Sequence, residues 1–229
     1  MLVKVVCGSF IFRVFSIHVV LLFLMTEVMA AAELSDHKST PASYNQPTSL
    51  IKPHKNQHSK THSIHKLLKK IQGLPEMNKV HLINSFFNRF RNISDFTLWG
   101  SKEYWATPNE LMNQNGGDCE DLAVAKYHYL TKSGINENNL RLAYAKAINH
   151  QTKSIENHLV LLYLDQSNKQ EFVLDNIDKT VKATTKRNDL SYQFSFNRNN
   201  IWPMKEHISE MQIKRSGIFK SWTNVLKRM

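Results

Sequence analysis

Apolar residues along this chain keep two different rhythms. From Ile64 to Leu130 they recur at three- and four-residue spacings, as on a helix with one buried face. Beyond Gly134 they fall in short runs, some of them alternating, as strands do. The spacing of Ile64, Leu67, Leu68 and Ile71 predicts a first helix that ends near Gly73. A second follows Pro75, with Val80, Ile83, Phe86 and Phe87 as its stripe. The stretch LWGSKEYWATPNELMNQNGG reads as an aromatic loop closed by a glycine pair. A third helix opens at GDCEDLAVAKYHYL, with Leu122, Ala123, Lys126, Tyr127 and Leu130 on one face and Gly134 past its end. LRLAYAKAI, NHLVLLYL, EFVLD and YQFSFN are candidate strands. GIFKSWTNVLKR closes the chain as a helix buried through Ile218, Phe219, Trp222, Val225 and Leu226. Helices followed by a mostly antiparallel sheet make an α+β fold, with the helical part packed on the sheet.

The first 63 residues lie outside this pattern. Lys4 and Arg13, an apolar run from Phe15 to Met25 and the small residues of EVMAAAE read as a signal peptide over residues 1–30, cleaved after Ala30. The run is about half of the roughly 20 residues that a membrane span needs. Residues 31–63 are polar and carry His37, His54, His58 and His62, with His65 just beyond. Their spacing suits a solvated tail better than a compact metal site. The folded domain is expected over residues 64–229. The formal charge of +11 barely changes when Lys4, Arg13 and Glu27 are removed. A basic surface suits nucleic acid, anionic lipid or an acidic protein, and export argues against nucleic acid. Cleavage also removes Cys7, leaving Cys119 as the single cysteine of an exported chain. A lone thiol in an oxidising compartment is either buried and inert or put to use.

Cys119 stands in the first turn of its predicted helix, with Asp118 as N-cap. There the unpaired backbone N–H groups favour a thiolate and can hold an oxyanion. Asp118, Glu120 and Asp121 oppose this, since their charge disfavours a thiolate. A base must come from elsewhere, and His128, His150, His158 and His207 are available. His158 opens one predicted strand and Asp175 closes the next. If the two strands form a hairpin around a loop at Asp165 to Asn168, Leu164 faces Lys169 and His158 faces Asp175 on the same side of the sheet. Asp175 would then orient His158 as base for Cys119, the parts of a thiol nucleophile's triad. A zinc site built from one Cys, one His and one Asp is weaker, because no short-spaced ligand pair is present.

These residues carry a resemblance. EYWATPNELMNQNGGDCEDLAVAKYHYL, LRLAYAKAI, NHLVLLYL, VLDNI and RNDLSYQFSFN are similar to the bacterial transglutaminase-like cysteine proteinases, and within them to the LapG type. The similarity runs roughly from Val80 to Trp202 and departs at Leu159, where methionine is expected after the histidine. It implies a papain-like, transglutaminase-like fold and a periplasmic endopeptidase. The expected substrate is the N-terminal region of a large surface adhesin, cut near paired alanines to disperse biofilm. The expected regulator is the periplasmic domain of an inner-membrane cyclic-di-GMP receptor. The resemblance places the nucleophile at Cys119, the base at His158 and the orienting acid at Asp175. It places calcium at Asp118 and Glu120, with Asp121. The second oxyanion donor is open between Trp105 and Gln114. Also open are a transglutaminase, a cell-wall amide hydrolase on the same fold, and a non-catalytic secreted binding module with an inert cysteine.

Overall fold

The computed structural model describes residues 57–149 and 152–229. The predicted signal peptide, most of the predicted tail and His150 fall outside them. Helix α1 spans Gln57–Ile71 and α2 Glu76–Phe87. The first begins about two turns before Ile64. Those extra turns are polar, and His62 and Ser63 are exposed, so no apolar repeat announced them. The predicted stripes hold: Ile64, Ile71, Val80, Ile83, Phe86 and Phe87 are all buried.

A short helix α3 at Asp95–Trp99 runs into the start of the stretch expected to be a loop, from Leu98 to Gly117, and that stretch contains helix α4 at Pro108–Gln114. Thr107 and Glu110 form a complete capping box for α4: Glu110 N–H donates to the Thr107 hydroxyl, and Thr107 N–H donates to the Glu110 carboxylate at 2.7 Å. Pro108 occupies the first turn, where its missing N–H is not needed. The glycine pair that closes this stretch is a short strand. Gly116–Gly117 (β2) pairs in parallel with Arg91–Asn92 (β1). Neither glycine has positive φ; what they supply is room. A Cβ on Gly116 would lie 2.6 Å from Ile93 Cδ1, and one on Gly117 would fall on the Asp121 carboxylate and 2.8 Å from Leu111 Cδ1.

Helix α5, Cys119–Lys132, follows at once and is buried along most of its length. Strands β3 (Leu140–Ile148), β4 (Ile155–Asp165), β5 (Gln170–Leu174), β6 (Lys182–Ala183), β7 (Leu190–Phe196) and β8 (Ile201–Pro203) form one antiparallel sheet. Its order is β6-β5-β4-β3-β7-β8. Helix α5 packs on β4 and β3, and α2 packs on α5. Leu159, Leu161 and Tyr163 join the main core under the helices, while Val160 and Leu162 join a smaller core with Ala143, Ala145, Val173 and Leu190. That alternation is the two-residue period of a strand buried on both faces.

Two C-terminal helices, α6 (Glu210–Arg215) and α7 (Gly217–Arg228), complete the helical layer. Trp222 of α7 is fully buried, edge-on to Tyr127 at 5.2 Å, and its indole N–H donates to the Asn197 carbonyl at 3.3 Å. At the end of α7, Arg228 donates to Glu110 at 2.9 Å and to the Trp105 carbonyl, tying the terminus to the segment before α4. No helix among the described residues is long and apolar enough to cross a membrane.

Candidate active site

Cys119 is the first residue of α5. Asp118 sits at the N-cap position in extended backbone, yet its side chain makes no capping hydrogen bond, contrary to expectation. The Cys119 thiol donates to Glu120 Oε2 at 3.0 Å, and the backbone N–H of Leu159, near the sulfur, favours its thiolate. The sulfur therefore lies against the residue that follows His158. Burial, and after it the Glu120 charge, pushes the thiol well above its ordinary range.

His158 and Asp175 are brought together, by a different register from the one expected. Asp165 pairs with Gln170, so the hairpin loop is one residue further on than predicted. Continued past Leu174, this register sets Asp175 across from Val160 and diagonal to His158. The shift in pairing is two residues, which keeps both side chains on one face. Diagonal Cβ atoms lie about 7–8 Å apart, and the two side chains close that gap: Asp175 Oδ1 is 2.7 Å from His158 Nε2. Both residues are buried.

The same Oδ1 accepts from the N–H groups of Asn176 (2.6 Å) and Ile177 (3.0 Å), and Oδ2 accepts from Arg187 at 2.6 Å. Burial alone would raise the Asp175 carboxyl. The hydrogen bond and charge of His158, the Ile177 N–H and Arg187 outweigh it and hold the group well below the usual carboxylate range. An ionised Asp175 fixes the imidazole proton on Nε2 and leaves Nδ1 as the nitrogen able to take a proton. The Asp175 carbonyl accepts from Asn88 (2.8 Å) and from Lys126 (3.0 Å). His128 is half-buried on α5, edge-on to Tyr129, and burial followed by Lys132 and Arg198 pushes it down to about 4. His207 is exposed.

Beside the cysteine, Asp95, Asp118 and Glu120 offer carboxylate oxygens within 4.8 Å of one another. Asp95 was not foreseen. It is buried at the start of α3 and accepts from Tyr104 N–H at 2.5 Å. Asp121 lies outside this set; it accepts from Ala106 N–H at 2.6 Å and braces the segment before α4. Asp95 Oδ1 and Asp118 Oδ1 are buried without a hydrogen-bond partner among the described residues. Burial, then the charges of Glu120, Asp121 and Asp95, pushes Asp118 up to about 10. Burial, opposed by Tyr104 N–H and reinforced by Glu120 and Glu103, pushes Asp95 to about 7. Clustered acids with spare oxygens and, among the described residues, no ion pair to a basic side chain fit a hard cation, which takes carboxylate oxygens and cancels their repulsion. Of the two candidate oxyanion donors, Trp105 is buried in the core with its carbonyl taken by Arg228, and Gln114 ends α4.

The sequence model of the family described as bacterial transglutaminase-like cysteine proteinase matches residues 41–204. Solved structures of Legionella pneumophila LapG superpose on this chain at 26% identity. One has a TM-score of 0.63 and covers 76% of this chain and 90% of the other. A calcium-bound form has a TM-score of 0.64 and covers 77% and 92%. An EGTA-treated form has a TM-score of 0.64 and covers 76% and 90%. No curated protein sequence matched. Matched over well more than half its length and sharing the LapG architecture, the chain belongs to the bacterial transglutaminase-like cysteine proteinases and is a LapG-like cysteine peptidase.

Proposed function

We propose that this chain is a calcium-dependent endopeptidase with Cys119, His158 and Asp175 as its triad. The reading rests above all on one juxtaposition: a cysteine at a helix N-terminus meets the backbone beside a buried His–Asp pair. His158 Nδ1 takes the thiol proton, and the sulfur attacks the scissile carbonyl carbon. The oxyanion that forms is held by N–H groups of the first turn of α5, that of Cys119 among them. His158 then gives its proton to the leaving amine, which leaves a thioester on Cys119. A water deprotonated by His158 attacks the thioester and releases the acid. Asp175 holds the imidazole in place and stabilises it when charged.

Asp95, Asp118 and Glu120 would hold the calcium. Bound there, the ion supplies positive charge that offsets the carboxylates beside the sulfur. The calcium-bound and EGTA-treated LapG structures support this part of the reading.

The proposed substrate is the N-terminal region of a large surface adhesin, cut near paired alanines after export to the periplasm, with release of the adhesin and dispersal of biofilm. The proposed regulator is the periplasmic domain of an inner-membrane cyclic-di-GMP receptor. Likeness to LapG supports both. The test is incubation of the mature chain with the N-terminal fragment of a large adhesin from the same organism. Cleavage in calcium is expected, with none for Cys119→Ala and none in EGTA. Intact adhesin, together with crosslinking of glutamine donors or cutting of cell-wall peptides, would move the chain to the transglutaminase or amide-hydrolase branch.

A further inference from the structure

Asp175 lies beyond the last ladder residue of β5, so the sheet itself does not hold its carboxylate. Its two oxygens are treated unequally. Oδ1 serves His158 and two backbone N–H groups, while Oδ2 has Arg187. Arg187 is buried and follows the short helical turn Thr184–Lys186, where its own N–H donates to the Thr184 carbonyl at 3.1 Å. Its guanidinium is gripped from behind by Asp189, which accepts from Nε at 2.8 Å and from the terminal nitrogen at 2.7 Å. Asp189 is anchored in turn, since its carbonyl accepts from Ile148 N–H at the end of β3. A rigid, planar fork can bond two carboxylates at once, which a lysine ammonium does less well.

We infer that Arg187 is a positioning residue of this enzyme: it fixes the Asp175 carboxylate in the plane that points Oδ1 at His158. This rests on the triad reading above. Asn88 and Lys126 hold only the carbonyl of Asp175. Without Arg187 the carboxylate is held at Oδ1 alone, by the Asn176 and Ile177 N–H groups, so its plane is fixed at one end only and Oδ2 is left in the interior without its donor. The imidazole then loses its orientation, and small misplacements of this kind cost on the order of 100-fold in rate.

The test uses the full mature chain in calcium, with iodoacetamide as the probe of Cys119. The two readouts are the alkylation rate and the downfield proton resonance of the His158–Asp175 hydrogen bond. Arg187→Gln should shift or broaden that resonance and slow alkylation by about tenfold or more. Arg187→Lys, which keeps the buried charge but not the fork, should recover part of both. A folded Arg187→Gln with an unmoved resonance and an alkylation rate within about twofold of the parent overturns the role. Should Arg187→Gln fail to fold, Arg187→Lys carries the test, and full parental values there show that charge alone suffices and overturn the role equally. His158→Ala separates the two readings. If it leaves alkylation unchanged, the triad assignment fails, while the resonance still reports whether Arg187 orders Asp175.

Discussion

Lys126 invites a measurement whose sign and pH window follow from its position. It lies on α5 with its side chain fully buried, and its ammonium donates to the Asp175 carbonyl at 3.0 Å. Burial pushes it from 10.5 down to about 7, against an upward pull from the Asp175 charge. Between those values the unfolded chain binds a proton that the folded chain refuses, so stability rises with pH across that window. At about 1.4 kcal/mol per unit, the full cost of keeping this charge inside is about 5 kcal/mol below pH 7 and vanishes near 10.5. Methionine matches the lysine stem in shape and carries no charge. The Asp175 carbonyl keeps Asn88 at 2.8 Å, so the lost hydrogen bond costs about 1 kcal/mol. Lys126→Met should therefore be about 4 kcal/mol more stable than the parent near pH 6 and slightly less stable near pH 10. Urea unfolding of both proteins at pH 6, 8 and 10, in one calcium concentration, gives the difference directly. A difference that does not change with pH, or grows as pH rises, refutes the assignment of a buried, displaced lysine.

Asp95→Asn should weaken calcium binding by at least about tenfold, read by calorimetry or terbium luminescence, because it removes a charged ligand; unchanged affinity would remove Asp95 from the site. In chelator the raised Asp95 and Asp118 carboxyls reverse the lysine's sign: the folded chain keeps protons that the unfolded chain loses. Their contribution should fall as pH rises from about 4 through 7 and on toward 10, and calcium should flatten that loss in thermal melts. Gly117→Ala should destabilise by about 1–3 kcal/mol, since its Cβ meets the Asp121 carboxylate and Leu111; a melting temperature equal to the parent would contradict the packing. Trp222→Ala should cost about 3–5 kcal/mol in chemical denaturation, and a loss under 1 kcal/mol would mean that α7 is not part of the core.

Buried stripes were legible because their period is local. The helices at Glu76–Phe87, Cys119–Lys132 and Gly217–Arg228 and strand Leu140–Ile148 fall close to where apolar spacing put them. Helix α4 was also written in the chain, as the Thr107–Glu110 capping box, but the aromatic residues around it masked so short an element. The hairpin register was missed by one turn position. Asp165 still pairs, and it also accepts from Ser167 N–H at 2.9 Å, which moves the loop to Gln166–Lys169. The face survived because only an odd slip would have turned His158 away from Asp175. Asp95 and Arg187 were not legible. Each reaches the site from a separate segment through tertiary packing, and no sequence spacing encodes that approach.

The donors around Asp175 have a consequence for how this chain acquires its chemistry. Asn88 comes from the end of α2, Lys126 from α5, His158 from β4 and Arg187 from the segment before β7. No single hairpin or helix pair contains them all. A partly folded intermediate with only the sheet formed would hold His158, Asp175 and Arg187 but lack Asn88, Lys126 and Cys119, the proposed nucleophile. Docking of α2 and α5 on the sheet would therefore complete the proposed site, and a chain short of that step would lack its nucleophile.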